Sequence, residues 1–274
     1  MYVPFLVATD AYGPNQFAYL PRRGARDAVA VLVLTWLDGF ERHCKCAVYC
    51  SDVSGAFDKV RRERLEAKLR AKGLHESVVR VLSSWLSERH AKVVVGGKFS
   101  EDMTLNNMVF QGTVLGPGLW NVMYEDARKA ISMHEFHEIV FADDLNAFRE
   151  YACTVDNSTL RTHMASVQKE LHQWGNCNQI EFDPLKESMH VVARQQAEGD
   201  NFKILGIDFD CKLLMSNAVH GTVVSVSWKL RSIMRSRRFS VMPIWCCITS
   251  PIFFLSSSIA RPAFTMLASQ FCVV

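Results

Sequence analysis

The sequence has 274 residues, of which 49% are hydrophobic and 22% are charged. This length and this hydrophobic fraction exclude a disordered chain and allow one large or two small domains with a sizeable core. The formal net charge of +3 excludes nothing by itself. However, residues 59–72 carry seven basic and two acidic residues, and residues 228–239 carry five basic and no acidic residues. Both stretches could contact phosphate, although a solvated helix face is the preferred interpretation of either one alone.

The nine cysteines are scattered along the chain, and its first residues, MYVPFLVATDAYG, do not form a secretory signal. We therefore expect a reducing, intracellular setting, in the nucleus or the cytoplasm, rather than a disulfide framework. The segment HCKCAVYC, residues 43–50, contains residue types that bind zinc. Its apolar side chains alternate like one buried face of a strand, so we interpret these cysteines as structural.

The first half of the chain predicts helices, a strand and a hairpin. Apolar residues recur at helical spacing in residues 27–40, and a strand that ends at Asp52 follows. Residues 58–72 predict a second helix that stops at Gly73. Residues 91–100 predict a hairpin that turns at Gly96 and Gly97. Residues 76–88 predict a third helix, and its expected buried face consists of Val78, Val81, Leu82 and Trp85.

The second half alternates between helices and strands without a regular repeat. A short helix is expected after Gly118 through Ala130, and residues 137–148 predict two strands with a tight turn at Asp143 and Asp144. Residues 187–193 and 201–210 predict further strands. An α+β or mixed α/β layer fold follows from this order. A long amphipathic helix is expected between residues 148 and 187. Its predicted buried stripe consists of Leu160, Met164, Val167, Leu171 and Trp174.

The end of the chain has a different composition. Residues 239–260 contain no charged side chain and are long enough to span a bilayer. Serines and prolines interrupt this apolar stretch. We therefore interpret residues 241–274 as a frame-shifted or decayed apolar tail, and a membrane anchor in residues 239–260 is the alternative.

Two predicted strands each end in carboxylates. If these strands are neighbours, Asp52 and Asp143 project from adjacent strand ends, and Asp144 lies beside them. Three clustered carboxylates cannot all stay ionised without a counter-charge. Because hard divalent cations prefer oxygen ligands, this pattern predicts a Mg²⁺ site, with Mn²⁺ as the alternative ion, and two such ions could catalyse phosphoryl transfer.

Six segments, in chain order, resemble the motifs of a known family. YCSDVSGAFDKV, FQGTVLGPGLWN and FADD resemble three successive palm motifs of reverse transcriptases, most of all those of non-long-terminal-repeat retrotransposons and group II introns. NQFAYLPRRGARDAVA, residues 15–30, resembles the preceding fingers motif. FDPLKESMHVV resembles the late lysine motif, and FKILGIDFD resembles the primer-grip hairpin.

The resemblance implies an α+β right-hand polymerase palm, an antiparallel sheet with packed helices. The implied parts are partial fingers in residues 1–50, a palm in residues 51–215 and the start of a thumb or connector in residues 216–240. The implied function is RNA-directed DNA polymerase, with an RNA template, a DNA or RNA primer and deoxynucleoside triphosphates as partners. No obligate protein partner is implied.

The resemblance also implies a role for individual residues. Asp52 and Asp143 match the two metal-binding carboxylates, Asp144 an auxiliary ligand, and Lys186 a proton donor to the leaving pyrophosphate. Phe57 matches the bulky residue that excludes a 2′-hydroxyl. Further nucleotide contacts are implied for Val53, Gln111 and Gly112, and nucleic-acid contacts for Arg22, Arg23, Leu205 and Gly206.

The chain also departs from the family pattern. Ala18, Tyr19 and Leu20 stand where the fingers motif has glycine, phenylalanine and arginine, and few residues precede that motif. We therefore expect a fragment of a longer retroelement polymerase. The alternatives are an inactive retroelement remnant that at most binds nucleic acid, an RNA-dependent RNA polymerase, and a membrane-anchored protein. Phe57 argues against the RNA polymerase, because such an enzyme needs room for the 2′-hydroxyl.

Overall fold

The computed structural model describes residues 2–105, 109 and 112–236. It divides into two compact units, Met1–Met215 and Ser216–Val274. Gln111 and the apolar tail lie outside the described residues. The structure therefore tests neither the decayed tail nor the membrane anchor. The assignment of fingers, palm and thumb to stretches of the chain stays a prediction.

The first unit contains seven α-helices among its described residues, and the second contains one. Short 3₁₀ turns at Ala56–Lys59 and Glu125–Ala127 precede the third and sixth helices. The helices are α1 Tyr2–Ala8, α2 Ala25–Glu41, α3 Arg62–Ala71, α4 Glu76–Leu86, α5 Gly116–Tyr124, α6 Arg128–Ser132, α7 Asn157–Asn178 and α8 Ser216–Ser236.

The central sheet has four antiparallel strands in the order β6-β7-β1-β8. Three separate two-stranded ladders join β2 with β5, β3 with β4, and β9 with β10. The β3–β4 and β9–β10 ladders are hairpins, as the sequence predicts. The strands are β1 Cys44–Ser51, β2 Arg89–Ala91, β3 Val94–Val95, β4 Lys98–Phe99, β5 Met103–Leu105, β6 His137–Phe141, β7 Asp144–Ala152, β8 Ser188–Val192, β9 Phe202–Ile204 and β10 Ile207–Phe209.

Strand β1 separates two hydrophobic cores because its side chains alternate between the faces of the sheet. Ala47 and Tyr49 join a large core with α3 to α7, whereas Cys46, Val48 and Cys50 join a second core with α2 and the β9–β10 hairpin. Desolvation in this second core raises the pKa of the Cys46 and Cys50 thiols to about 12. The structural interpretation of these two cysteines agrees with their position.

The long helix α7 buries its predicted stripe against the large core. Leu160, Val167 and Leu171 are fully buried, and Trp174 is partly buried. Asp156 caps the N-terminus, because its carboxylate accepts a hydrogen bond from the Ser158 amide at 2.9 Å. Gln179 ends the helix in a left-handed conformation with a φ of 60°.

The sequence-based predictions of α3 and α4 need two corrections, one to the start of α3 and one to the buried face of α4. Helix α3 begins at Arg62 rather than residue 58, because the chain first makes the turn Ala56–Lys59 and then runs extended at Val60. In α4, Val81 is 67% exposed, whereas Val79 is fully buried. The face packed on the core is one position away from the predicted one at this point, since Val79, Leu82 and Leu86 repeat at three and four residues.

Most basic side chains in residues 59–72 form ion pairs with other residues of the protein. Lys68 Nζ donates to Asp126 Oδ1 at 2.6 Å and to the Met123 carbonyl at 2.6 Å, and Lys72 Nζ contacts Glu125 at 2.6 Å. These two lysines tie α3 to α5 and to the turn after it. Other ion pairs along this stretch are formed by Lys59, Arg62 and Arg70. The solvated, self-paired interpretation therefore fits this stretch better than a free phosphate-binding surface.

Helix α8, the described part of the second unit, is helical as the sequence suggests. It carries Lys229, Arg231 and Arg235 and exposes Trp228. Within the part of the chain that the structure covers, no helix combines the length and apolar character needed to traverse a bilayer.

Two of the three valines of α4 test the corrected packing. Replacing Val79 by Ala removes buried methyl groups and leaves a cavity, so we expect the free energy of unfolding to fall by about 2 kcal/mol. Val81→Ala changes the same residue type on the exposed face and should stay within about 0.5 kcal/mol of the parent. Urea denaturation of both variants measures the difference. Equal losses, or a larger loss for Val81→Ala, would contradict the described face.

Candidate active site

The register of the central sheet brings the predicted carboxylates together. Ser51 at the end of β1 pairs with Leu145 in β7, and Phe141 pairs with Asp144 across the β6–β7 turn. Asp52 therefore follows β1 at the same edge where Asp144 begins β7. Asp143 lies in the turn between β6 and β7. The juxtaposition that the sequence predicts for these three residues is what the described structure contains.

The side chains of Asp52 and Asp143 lie close enough to influence each other electrostatically. Burial, followed by the negative charge of Asp52, raises the pKa of Asp143. Burial and the charges of Asp52 and Asp143 raise the pKa of Asp144 to about 6. The ionised carboxylates thus repel one another in a site that is partly shielded from water.

Lys186 provides the positive charge at this site. Its ammonium group pairs with Asp52 Oδ2 at 2.5 Å, and this contact raises the pKa of Lys186. The lysine side chain is 60% exposed, whereas that of Asp52 is only 15% exposed. Lys186 can therefore reach both the carboxylates and the solvent in front of them.

The loop that carries Lys186 is pinned to the end of β1. The Asp183 amide donates to the Asp52 carbonyl at 3.0 Å, and the Ser54 amide donates to the Glu181 carbonyl at 2.9 Å. Asp183 also shapes the loop, because its carboxylate accepts from the Leu185 amide at 3.0 Å and its carbonyl from the Lys186 amide at 3.0 Å. Asp183 therefore forms a side-chain-stabilised turn of the kind that aspartate favours.

Glu187, next to Lys186, anchors the loop from behind. Its carboxylate accepts hydrogen bonds from Tyr49 and from Gln168 Nε2, the latter at 3.1 Å, and pairs with His172 at 2.7 Å. The Glu187 side chain is only 6% exposed. The network connects the lysine loop to β1 and α7, so the position of Lys186 depends on the main sheet.

Phe57 lies in front of the large core. Its ring is partly buried and contacts the ring of Trp120, with the centroids 6.0 Å apart. The Phe57 carbonyl accepts from the Val109 amide at 2.9 Å, which fixes the 3₁₀ turn after β1.

The turn before Asp143 is held by two side chains whose roles the sequence analysis did not predict. Gln16 Oε1 accepts from the Ala142 amide at 3.1 Å, and Trp120 Nε1 donates to the Ala142 carbonyl at 2.9 Å. Ala142 has a φ of 60°, a left-handed conformation that costs a non-glycine residue about 1 kcal/mol. The available signal was the polar Gln16 inside NQF, a segment recognised only as a motif.

The remaining predicted contact residues lie in different environments. The Val53 side chain is buried in the large core, so a nucleotide could contact only its backbone. Arg22 and Arg23 are both exposed, and Arg23 donates to the Gln16 main-chain carbonyl at 3.0 Å and stacks over Phe17. Gly112 is exposed, with a φ of 83°. Leu205 and Gly206 form the β9–β10 turn, and this turn is built on the second core.

The donor chemistry of the site fits a divalent cation. The carboxylate oxygens are the ligand type that Mg²⁺ and Mn²⁺ prefer, and their raised pKa values show that one lysine does not offset their charge. Over the residues that the structure describes, no three His, Cys, Asp or Glu side chains form a ready-made metal cage. In the observed arrangement, Lys186 pairs with Asp52, and Asp143 and Asp144 lie beside this pair.

The antiparallel sheet, its packed helices and the carboxylates at the ends of its two central strands define the palm of a right-hand nucleic-acid polymerase. Residues 2–209 match the family described as reverse transcriptase (RNA-dependent DNA polymerase). The chain belongs to this family, which confirms the resemblance found in the sequence. Reverse transcriptases in general use divalent metal ions.

One curated relative is the retrovirus-related Pol polyprotein from type-1 retrotransposable element R2 of Popillia japonica. It is 27% identical over 121 residues, which are 40% of this chain and 20% of the polyprotein. The chain thus matches a fifth of that relative's length.

Similar solved structures support the fold. Apo telomerase from Candida tropicalis, truncated from its C-terminal domain, has a TM-score of 0.56 at 13% identity and covers 77% of this chain and 42% of its own. Telomerase from Candida albicans in complex with a TWJ fragment of telomeric RNA has a TM-score of 0.53 at 12% identity, over 76% and 35%. These likenesses concern the fold, and they confirm the predicted α+β palm.

The raised pKa of Asp144 predicts a pH-dependent stability. Folding shifts this pKa from 3.8 to about 6, so the folded state binds the proton more readily than the unfolded state. The destabilising effect of the ionised group is absent at low pH, grows as the pH rises through this window, and is complete above it. In the metal-free protein, Asp144→Asn should therefore raise Tm by about 2 °C at pH 8, allowing for solvent screening, and by less at pH 4.

Thermal unfolding at both pH values measures this difference. Glu101→Gln, which neutralises an exposed carboxylate, is the control and should show little change in Tm at either pH. A Tm increase for Asp144→Asn that is equal at pH 4 and pH 8 would contradict the described electrostatics.

Proposed function

We propose that this chain is the reverse transcriptase domain of a retroelement and adds deoxynucleotides to a primer on an RNA template. The observation that carries this proposal is the strand register that places Asp52 beside the Asp143–Asp144 turn, with Lys186 paired to Asp52. Metal-dependent nucleotidyl transfer needs carboxylates and a nearby cation in this kind of arrangement.

The proposed reaction is attack of a primer 3′-hydroxyl on the α-phosphate of a deoxynucleoside triphosphate, with pyrophosphate leaving in line. Asp52, Asp143 and Asp144 would hold Mg²⁺, with Mn²⁺ as the alternative ion. A divalent ion held there supplies charge neutralisation at the attacking and leaving oxygens. Positioning by the rigid strand ends supplies much of the remaining catalysis.

Lys186 is proposed to protonate the leaving pyrophosphate. Its ammonium is exposed enough to reach a triphosphate and is held beside Asp52. A lysine ammonium is protonated at neutral pH, so this side chain has a proton to donate as a general acid. The network of Glu187 and Tyr49 would keep the lysine loop in place during this step.

Phe57 is proposed to select deoxynucleotides. Its ring rests on Trp120, so it resists displacement by a sugar 2′-hydroxyl, and Val53 and Gly112 would contribute backbone contacts nearby. Contacts of Gln111 with the nucleotide, and of Arg22, Arg23, Leu205 and Gly206 with template or primer, belong to the same proposal. The similar telomerase from Candida albicans is bound to RNA, which supports an RNA template here.

Primer extension tests the proposal. The purified chain, an RNA template, a DNA primer, deoxynucleoside triphosphates and Mg²⁺ should give extended product. Asp143→Asn should lower its rate at least about a hundredfold, since it removes a charge needed in the transition state. Asp156→Asn is the control, because asparagine also caps a helix and Asp156 lies at the start of α7.

The possible outcomes separate the alternatives. Extension that depends on Asp143 supports the polymerase. A folded chain that binds nucleic acid but extends no primer would instead support the inactive remnant.

The sugar selectivity of Phe57 makes a second prediction. Phe57→Val creates space beside the sugar, so we expect the preference for deoxynucleotides over ribonucleotides to fall by at least about tenfold. Phe99→Val truncates an aromatic ring that is 73% exposed and should leave the preference unchanged. The ratio of kcat/KM for the two substrates is the measurement. A wild-type protein that prefers ribonucleotides would favour an RNA-dependent RNA polymerase.

A further inference from the structure

The residue before Asp143 is held from two sides by buried side chains. Gln16 comes from the N-terminal segment, which pairs in parallel with β6 through a bridge between Gln16 and Val140. Trp120 comes from α5. Both contact Ala142, the first through its amide and the second through its carbonyl. We call this arrangement the Ala142 clamp.

The clamp controls both hydrogen-bonding groups of one backbone residue. Ala142 contributes one donor and one acceptor on its main chain, and each is satisfied by a side chain rather than by the sheet. Gln16 is 5% exposed and Trp120 is fully buried, so water does not compete strongly at either contact. The side-chain oxygen Gln16 Oε1 also accepts from the Ala18 amide at 2.9 Å, which fixes the orientation of this acceptor.

The conformation of Ala142 explains why two supports are needed. A left-handed alanine persists only where its surroundings determine it, and Ala142 has a φ of 60°. Loss of either contact would allow the turn to relax toward an ordinary conformation. Because Asp143 is the next residue, such a change would rotate its carboxylate relative to Asp52.

Trp120 also supports a second part of the proposed site. The same ring contacts Phe57 with a centroid separation of 6.0 Å and stacks on Tyr124 at 5.1 Å. Its indole nitrogen then holds the Ala142 carbonyl. One rigid side chain therefore links the ring proposed to select the sugar with the turn proposed to hold the metal.

We infer that Gln16 and Trp120 are positioning residues that set the orientation of the Asp143 carboxylate through Ala142. This inference rests on the proposed function for its catalytic meaning, but it concerns contacts of this chain that can be tested separately. Both side chains are buried, and their proposed action is to fix the backbone that carries the proposed metal ligand.

The test uses two variants of the full chain with matched controls. Gln16→Met keeps the side-chain length and removes the acceptor, and Trp120→Phe keeps a ring and removes the donor. Asn121→Leu removes a different buried hydrogen bond between α5 and the N-terminal segment, from Asn121 Nδ2 to the Ala18 carbonyl at 3.1 Å. Trp36→Phe makes the same truncation in the second core, where the Trp36 indole nitrogen has no hydrogen-bond partner among the described residues.

Hydrogen exchange of residues 141–145, followed by mass spectrometry, measures whether the clamp holds the turn. We expect faster exchange in Gln16→Met and Trp120→Phe and wild-type exchange in both controls. Mn²⁺ binding measured by electron paramagnetic resonance then tests positioning. The two clamp variants should bind Mn²⁺ about tenfold more weakly, as is typical when the support of a metal ligand is removed, while the controls stay within about twofold.

Two further measurements discriminate positioning from general destabilisation. Gln16→Glu retains the two accepted hydrogen bonds and should restore wild-type exchange in residues 141–145. The double variant Gln16→Met/Trp120→Phe should weaken Mn²⁺ binding by less than the product of the single effects, because both act through Ala142.

Unchanged exchange in Gln16→Met, or equal weakening of Mn²⁺ binding in the controls, would overturn the inference. Absence of Mn²⁺ binding by the wild-type chain would overturn the metal site and, with it, the positioning role. If the wild-type chain binds Mn²⁺ and the clamp variants bind it weakly, but no primer is extended, the clamp stands and the proposed polymerase activity fails.

Discussion

The antiparallel pairing of β1 with β7 is the constraint on which the site depends. This ladder places the end of β1 beside the start of β7, so that Asp52 meets the Asp143–Asp144 turn. Its register is strongly specified, because β1 is buried on both faces, and a slip by one residue would exchange the side chains of the two cores. Core packing therefore fixes the separation of residues that are distant in sequence.

The same packing creates an electrostatic penalty at the site. Burial and mutual repulsion raise the pKa of Asp143 and Asp144, and Lys186 offsets part of this charge. Replacement of one of these carboxylates by a neutral group would relieve this repulsion and stabilise the metal-free protein. The retained charges are explained by the proposed function, since a divalent cation would convert repulsion into coordination.

Segments from several parts of the chain support this small site. The N-terminal segment and α5 hold the turn before Asp143, while Glu187, Tyr49 and His172 anchor the loop of Lys186. These supports are buried or partly buried side-chain contacts, and each joins different elements of the chain. The reverse transcriptase family match covers residues 2–209, which include all of them.

The sequence by itself determined the family, the order of most elements and the residues of the proposed site, because hydrophobic periodicity and short motifs are local properties. It placed Val81 on the wrong face of α4 and started α3 too early, since turn geometry and neighbouring helices decide such boundaries. Only the tertiary structure decided that Gln16 and Trp120 meet at Ala142, and that the lysines of residues 59–72 pair internally. Contacts between distant segments depend on how the sheet and helices pack, and no local pattern encodes that packing.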